Sequence, residues 1–187
     1  MHTAQEDIID TLLAHHQQIK LLFGTVQSAT GDHKQQLFEE LVALLAVHEG
    51  VEATLIHPLA AEKLPEGESV VSARLGEEQD AKEGLAKLYD LGTGHPQFDL
   101  ELATLRDAVA AHAELEELLE FGQLREVVDA DQLLRMRAAL AVAAALTPTR
   151  SDPGEPATPG ANPLRGTPLA VFDRVRDALR DAEGSAS

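Results

Sequence analysis

Two four-residue steps of one kind, His48 to Glu52 in VHEGVEAT and His112 to Glu116 in AHAELEELL, are the residues of this chain best placed to do chemistry. Each reads H-x-x-x-E, and a four-residue advance along a helix returns to within about 40° of the same face. Imidazole and carboxylate therefore leave each helix in one direction. Two such helices in one bundle can bring the four side chains onto a pair of metal ions, with the carboxylates bridging. One step alone says little, because the run ELEELLE would supply a Glu at almost any offset.

The elements that must position these residues are helical. Ile8, Ile9, Leu12, Leu13, His16, Ile19, Leu22, Phe23 and Val26 share one stripe of a first helix, with His15 off its centre. A turn at Thr30-Gly31-Asp32 leads to a second helix over about 33–63, carrying His48 and Glu52, with Pro58 a candidate kink. A third helix over about 69–91 carries Glu78, and the Gly92-to-Pro96 stretch ends it. The fourth begins at Phe98 or Asp99, carries His112 and Glu116, and meets an interruption at Gly122. Short connections make the four an up-and-down antiparallel bundle, and a further amphipathic segment over 130–146 completes a helical unit at 1–146.

Residues 147–168 hold six of the nine prolines and three glycines, the composition of a linker or strap. A short helix over 169–183 follows, able to dock through Leu169, Phe172, Val175 and Leu179. The expected class is all-α.

Composition narrows the chemistry. Aromatic residues make up 3% of the 187, and Ala, Leu and Val do most of the packing, which favours helix-on-helix layers. With 15 Lys plus Arg against 32 Asp plus Glu, the net charge of −17 has the wrong sign for phosphate backbones and anionic lipid, so neither nucleic acid nor membrane is an expected partner. No cysteine is present, which removes thiolate metal sites, disulfides and a thiol nucleophile. Any metal must be held by His and carboxylate. The N-terminus lacks the pattern of a signal peptide, and no run approaches about 18 uninterrupted apolar residues, so the expectation is a soluble cytoplasmic protein.

The polar residues on these stripes coincide: His16, Glu52 with His48, Glu78, and Glu116 with His112 stand on four different helices. A buried carboxylate is costly unless paired or bound to metal. A lone buried His is most often a hydrogen-bonded core residue, so the joint placement carries the argument.

The pattern resembles the hemerythrin-like, or HHE cation-binding, domains over roughly residues 6–122. DIIDTLLAHHQQIKLLF looks like the first helix of that family, AVHEGVEATLIHPLAAEKLP the second and LRDAVAAHAELEELLEF the fourth. The resemblance implies His16, His48 and His112 as terminal ligands and Glu52 and Glu116 as bridging carboxylates of a two-iron centre, with manganese a second option. It implies O2, hydrogen peroxide or nitric oxide as the small-molecule partner.

Two departures stand out. Where the family has a third-helix His, this chain has Glu78, with Glu77 the competing candidate. Where the family often has Tyr before the second-helix Pro, it has His57, open to the roles of spare ligand, proton shuttle or surface residue. Some relatives also use the acidic residue after the second-helix His, here Glu49. Gln17, Gln79 and His15 are adjacent candidates for orienting ligands. A carboxylate-rich set moves the expected chemistry from reversible O2 carriage towards catalase- or oxidase-like turnover, and disproportionation of peroxide suits a narrow Ala/Leu/Val interior. The alternatives are an iron, O2 or NO binder or sensor that does no chemistry, and a helical interaction domain whose site has decayed.

Overall fold

In a computed structural model, residues 6–146 and 167–186 are described, with side chains over 6–138 and 167–179. All regular structure there is helical. Helix α1, Ile8–Ser28, opens on a reciprocal cap in which Asp7 accepts from the Asp10 N–H and Asp10 from that of Asp7. Helix α2 runs Gly31–Lys63 and α3 runs Gly67–Leu91. Helix α4 is built from Phe98–Glu116, Glu117–Phe121 and Gly122–Val127, α5 is Ala130–Leu146 and α6 is Pro168–Ala186.

The first four helices form the ring expected of an up-and-down bundle: each packs on its chain neighbour, and α4 closes against α1. Their shared interior holds Phe23, Phe38, Phe98 and Phe121, all nearly inaccessible, with Leu12, Leu41, Leu45, Leu85 and Leu88. Helix α5 lies on α1, and α6 packs chiefly on α2, reaching α3 and α5. Of the residues expected to dock α6, Phe172, Val175 and Leu179 are buried in that contact, joined by Val171, whereas Leu169 is 53% exposed. Helix α2 has the length and mean hydropathy (1.2 over 18 residues) of a membrane span, but 61% of that window is buried within the bundle. Most of the expected 147–168 linker, residues 147–166, lies outside the described residues.

Two boundaries differ in kind from the sequence reading. Helix α2 neither stops nor breaks at Pro58. Instead one π-helical turn over Glu52–Ile56 precedes it, with the His57 N–H donating to the Glu52 carbonyl. Pro58 has no N–H to give, and the widened turn absorbs the missing rung. Helix α4 likewise passes through Gly122 after a π turn over Glu117–Phe121, in which the Gly122 N–H donates to the Glu117 carbonyl. Both π turns begin at, or one residue after, the Glu of an H-x-x-x-E step. Helices α2 and α3 also meet closely: a Cβ on Gly67 would stand 2.0 Å from the Ala60 carbonyl oxygen, so only glycine fits there.

Candidate metal centre

The bundle brings one candidate side chain inward from each of α1 and α3 and two from each of α2 and α4. His16 Nε2 lies 3.0 Å from His48 Nε2 and 3.3 Å from Glu116 Oε2. His48 Nε2 is 3.1 Å from Glu52 Oε1, and His112 Nε2 is 3.1 Å from Glu116 Oε1. The two oxygens of Glu116 thus face opposite sides, one towards His16 and one towards His112. Two overlapping groups have donor atoms close enough to share a cation: His16, His48, Glu52 and Glu116, and Glu52, Glu78 and His112.

The donor atoms are also orphans. Both oxygens of Glu52 and of Glu116, and Nε2 of His112, are buried with no hydrogen-bond partner, and both Glu residues are 0% exposed. Native interiors rarely leave polar atoms so. A pair of oxygen- and nitrogen-seeking cations would satisfy all five at once, so the residues present fit the metal ions that this donor set implies.

Outer groups hold the imidazoles. His16 Nδ1 lies 2.8 Å from Glu117 Oε1, and His112 Nδ1 lies 2.8 Å from Glu77 Oε2. Glu77 in turn accepts from the Arg74 guanidinium at 2.9 Å, and the His16 ring stacks on Phe121 at 5.6 Å. A carboxylate on Nδ1 fixes the tautomer and directs Nε2 to the interior. Glu77, the competing candidate for the third-helix position, therefore stands behind His112, and Glu78 points inward.

His57 is not at the surface. It is 3% exposed, with Nε2 2.6 Å from Glu78 Oε1 and Nδ1 3.4 Å from Glu120 Oε2. Glu49, also buried, is 3.0 Å from Lys82 Nζ and lies outside both donor groups. His15 is half-buried, its ring 5.8 Å from that of His48, while Gln17 and Gln79 are exposed. Sequence reading took only Glu116 from the acidic run ELEELLE and so missed Glu117 and Glu120. Glu120 is 0% exposed, and its signal was available, since it stands four residues beyond Glu116 on one helical face.

The electrostatics are those of a carboxylate-crowded cavity awaiting positive charge. Burial, then the neighbouring carboxylates led by Glu116, pushes the Glu52 carboxyl well above its usual range. Burial pushes Glu49 up to about 8, partly offset by Lys82. Burial raises Glu116 as well, but the His112 and His16 imidazoles beside it outweigh that and hold it well below the carboxylate range. Burial opposes the proton on His112 and on His57, yet the carboxylates facing each raise both to about 9. Burial depresses His48. Protons here occupy places a metal would take, so metal binding must release them.

A cavity of about 330 Å³ opens from this cluster towards solvent, lined by Phe23, Leu45, Val109 and Ala113 as well as by the three candidate His ligands.

The model of the hemerythrin HHE cation binding domain matches residues 7–124. No curated protein matches the chain. Among solved structures, that of a hemerythrin HHE cation binding domain-containing protein from Mycobacterium kansasii aligns with a TM-score of 0.63 and 22% identity, covering 74% of this chain and 85% of that one. At that identity the likeness speaks for the fold. With the matched span taking in every candidate ligand on the four helices, the chain belongs to the hemerythrin HHE cation binding domain family.

Proposed function

We propose that this domain holds two iron ions between its four helices and turns over a small oxidant, hydrogen peroxide or O2, at that pair. One observation carries the reading: Glu52 and Glu116 are fully buried, none of their four oxygens has a hydrogen-bond partner, and Glu116 faces imidazoles on both sides. His16 and His48 would complete one position and His112 and Glu78 the other, with Glu52 and Glu116 shared. Bound there, an iron pair supplies two-electron exchange with an O–O bond; manganese is the alternative metal.

The chain's own residues do the rest. Glu117 and Glu77 hold His16 and His112 in their tautomers, and Phe121 seals one side of the His16 ring. The cavity admits a small oxidant from solvent, past a lining in which Phe23, Leu45 and Val109 alternate with charged side chains such as Lys20 and Arg106. His57, between Glu78 and Glu120, holds a proton at Nε2 or Nδ1 beside the site. Disproportionation of peroxide, two H2O2 giving O2 and two H2O, needs no further reactant.

A second reading has one observation in its favour. A Cβ on Gly50, between the ligand-bearing turns of α2, would stand 2.9 Å from Leu179 and 3.1 Å from Val175 of α6. Helix α6 thus rests on the backbone that positions His48 and Glu52, as a sensor of metal or gas occupancy would require.

Purified chain loaded anaerobically with Fe(II) should bind about two irons and evolve O2 steadily from H2O2, and Glu52→Ala should abolish the evolution. One stoichiometric oxidation followed by silence favours the sensor. Failure to bind iron or manganese removes both.

A further inference from the structure

The two cation positions are not equivalent. The two donor groups share Glu52, but the first adds the imidazoles of His16 and His48 with Glu116, whereas the second adds one imidazole, His112, and one carboxylate, Glu78, with the other oxygen of Glu116 3.1 Å from His112 Nε2. The difference comes from one helix, since α3 brings a Glu to the centre. Glu78 is 2% exposed and doubly anchored: His57 Nε2 lies 2.6 Å from Oε1, and Lys82 Nζ lies 3.5 Å from Oε2. Those contacts fix its direction, and each carboxylate oxygen keeps a second lone pair for a cation.

Imidazole suits iron, and hard carboxylate oxygen suits manganese. Divalent iron binds more tightly than divalent manganese in most nitrogen and oxygen sites, so manganese gains most where imidazole is scarcest and anionic oxygen most abundant. Only the second position meets that condition. Resting on the dinuclear reading above, we infer that this centre assembles as a mixed pair: iron at the His16/His48 position and manganese at the His112/Glu78 position.

The test is metal content and location in the full-length protein. Metal-free chain is equilibrated anaerobically with Fe(II) and an excess of Mn(II), then crystallised, with anomalous scattering recorded on both sides of the iron and manganese absorption edges. The expected result is about one iron and one manganese per chain, with the manganese-to-iron ratio at the His112/Glu78 position exceeding that at the other by about tenfold or more. Iron at both positions, equal ratios, or manganese enriched beside His16 and His48 overturns the inference while leaving the dinuclear reading intact. No metal at either position overturns both. Glu78→His gives each position two imidazoles, and manganese should then fall by about tenfold or more in favour of a second iron; unchanged manganese overturns the assignment. Should Glu78→His not fold, Glu78→Gln keeps the shape and removes the anionic oxygen, and retention of manganese in it is equally damaging.

Discussion

Replacing Glu52 with glutamine should make the metal-free protein more stable and the metal-loaded protein less stable. Glu52 is 0% exposed, neither of its oxygens is hydrogen-bonded, and burial together with Glu116, Glu78, Glu49 and Glu120 holds its carboxyl well above the ordinary 4.5. A group with a raised folded pKa contributes most stability below its unfolded pKa and loses it as pH rises. Keeping that carboxyl protonated therefore costs the chelated protein more at pH 7 than at pH 5, where the unfolded carboxyl is itself closer to its own titration. Glutamine matches the shape, so no cavity opens, and its amide is desolvated much as the neutral carboxyl is. Chelated Glu52→Gln should therefore exceed wild type in stability at pH 7, by on the order of 1–3 kcal/mol, with the advantage shrinking towards pH 5. Denaturant titration with chelator present reads this directly. With metal the order should invert, because on the dinuclear reading a cation would take the place of the proton on Glu52 and the variant offers it no anionic oxygen. A chelated variant less stable than wild type at pH 7, or an advantage that does not change with pH, would refute the reasoning.

Three further outcomes follow from the same geometry. Glu117→Gln or Glu77→Gln, each removing the anion behind an imidazole Nδ1, should weaken metal binding by about 10–100-fold in a competitive chelator titration, without changing helix content. Gly67→Ala should cost at least about 1–3 kcal/mol in denaturant unfolding, because its Cβ would lie 2.0 Å from the Ala60 carbonyl and α3 must shift, carrying Glu78 with it. The chelated protein should lose stability as pH rises from 6.5 to 9. His57 and His112 are raised to about 9, so their contribution is complete below 6.5 and gone above 9, and Glu49, raised to about 8, acts in the same sense. The metal-loaded protein should be flatter over that range, and equal chelated stability at pH 6.5 and pH 9 would count against the proton placements.

Much of the architecture was legible because it depends on one period. The stripes of α1 to α4 repeat at 3.6 residues, and that spacing alone places His16, His48, Glu52, Glu78, His112 and Glu116 on inward faces. What escaped depends on local departures from the period. At a regular pitch His57, five residues beyond Glu52, turns about 140° away and looks solvent-facing. The π turn over Glu52–Ile56 returns it inward. Pro58 hints at some irregularity there but not at its form, since kink, stop and widened turn all accommodate a missing N–H. The second π turn, over Glu117–Phe121, has no proline to announce it, and with it went the placement of Glu117 behind His16.

These departures bear on the third helix. With Glu rather than His at position 78, the cluster gains an anionic oxygen inside a fully buried site, a placement that is costly unless a cation stands close by. The π turn of α2 delivers that cation by swinging His57 to 2.6 Å from Glu78, and Lys82 adds a second from the next turn of α3. The imidazole absent from α3 thus has a counterpart on α2, moved from where it could bind metal to where it supports the carboxylate. Glu78 and His57 accordingly belong to one arrangement. Exchanging Glu78 for His alone leaves His57 facing an imidazole instead of a carboxylate, whereas pairing it with His57→Tyr relieves that contact. The double variant should therefore recover stability that Glu78→His loses, and its coupling energy in a thermodynamic cycle should reach about 0.5–3 kcal/mol; additive effects would separate the two residues.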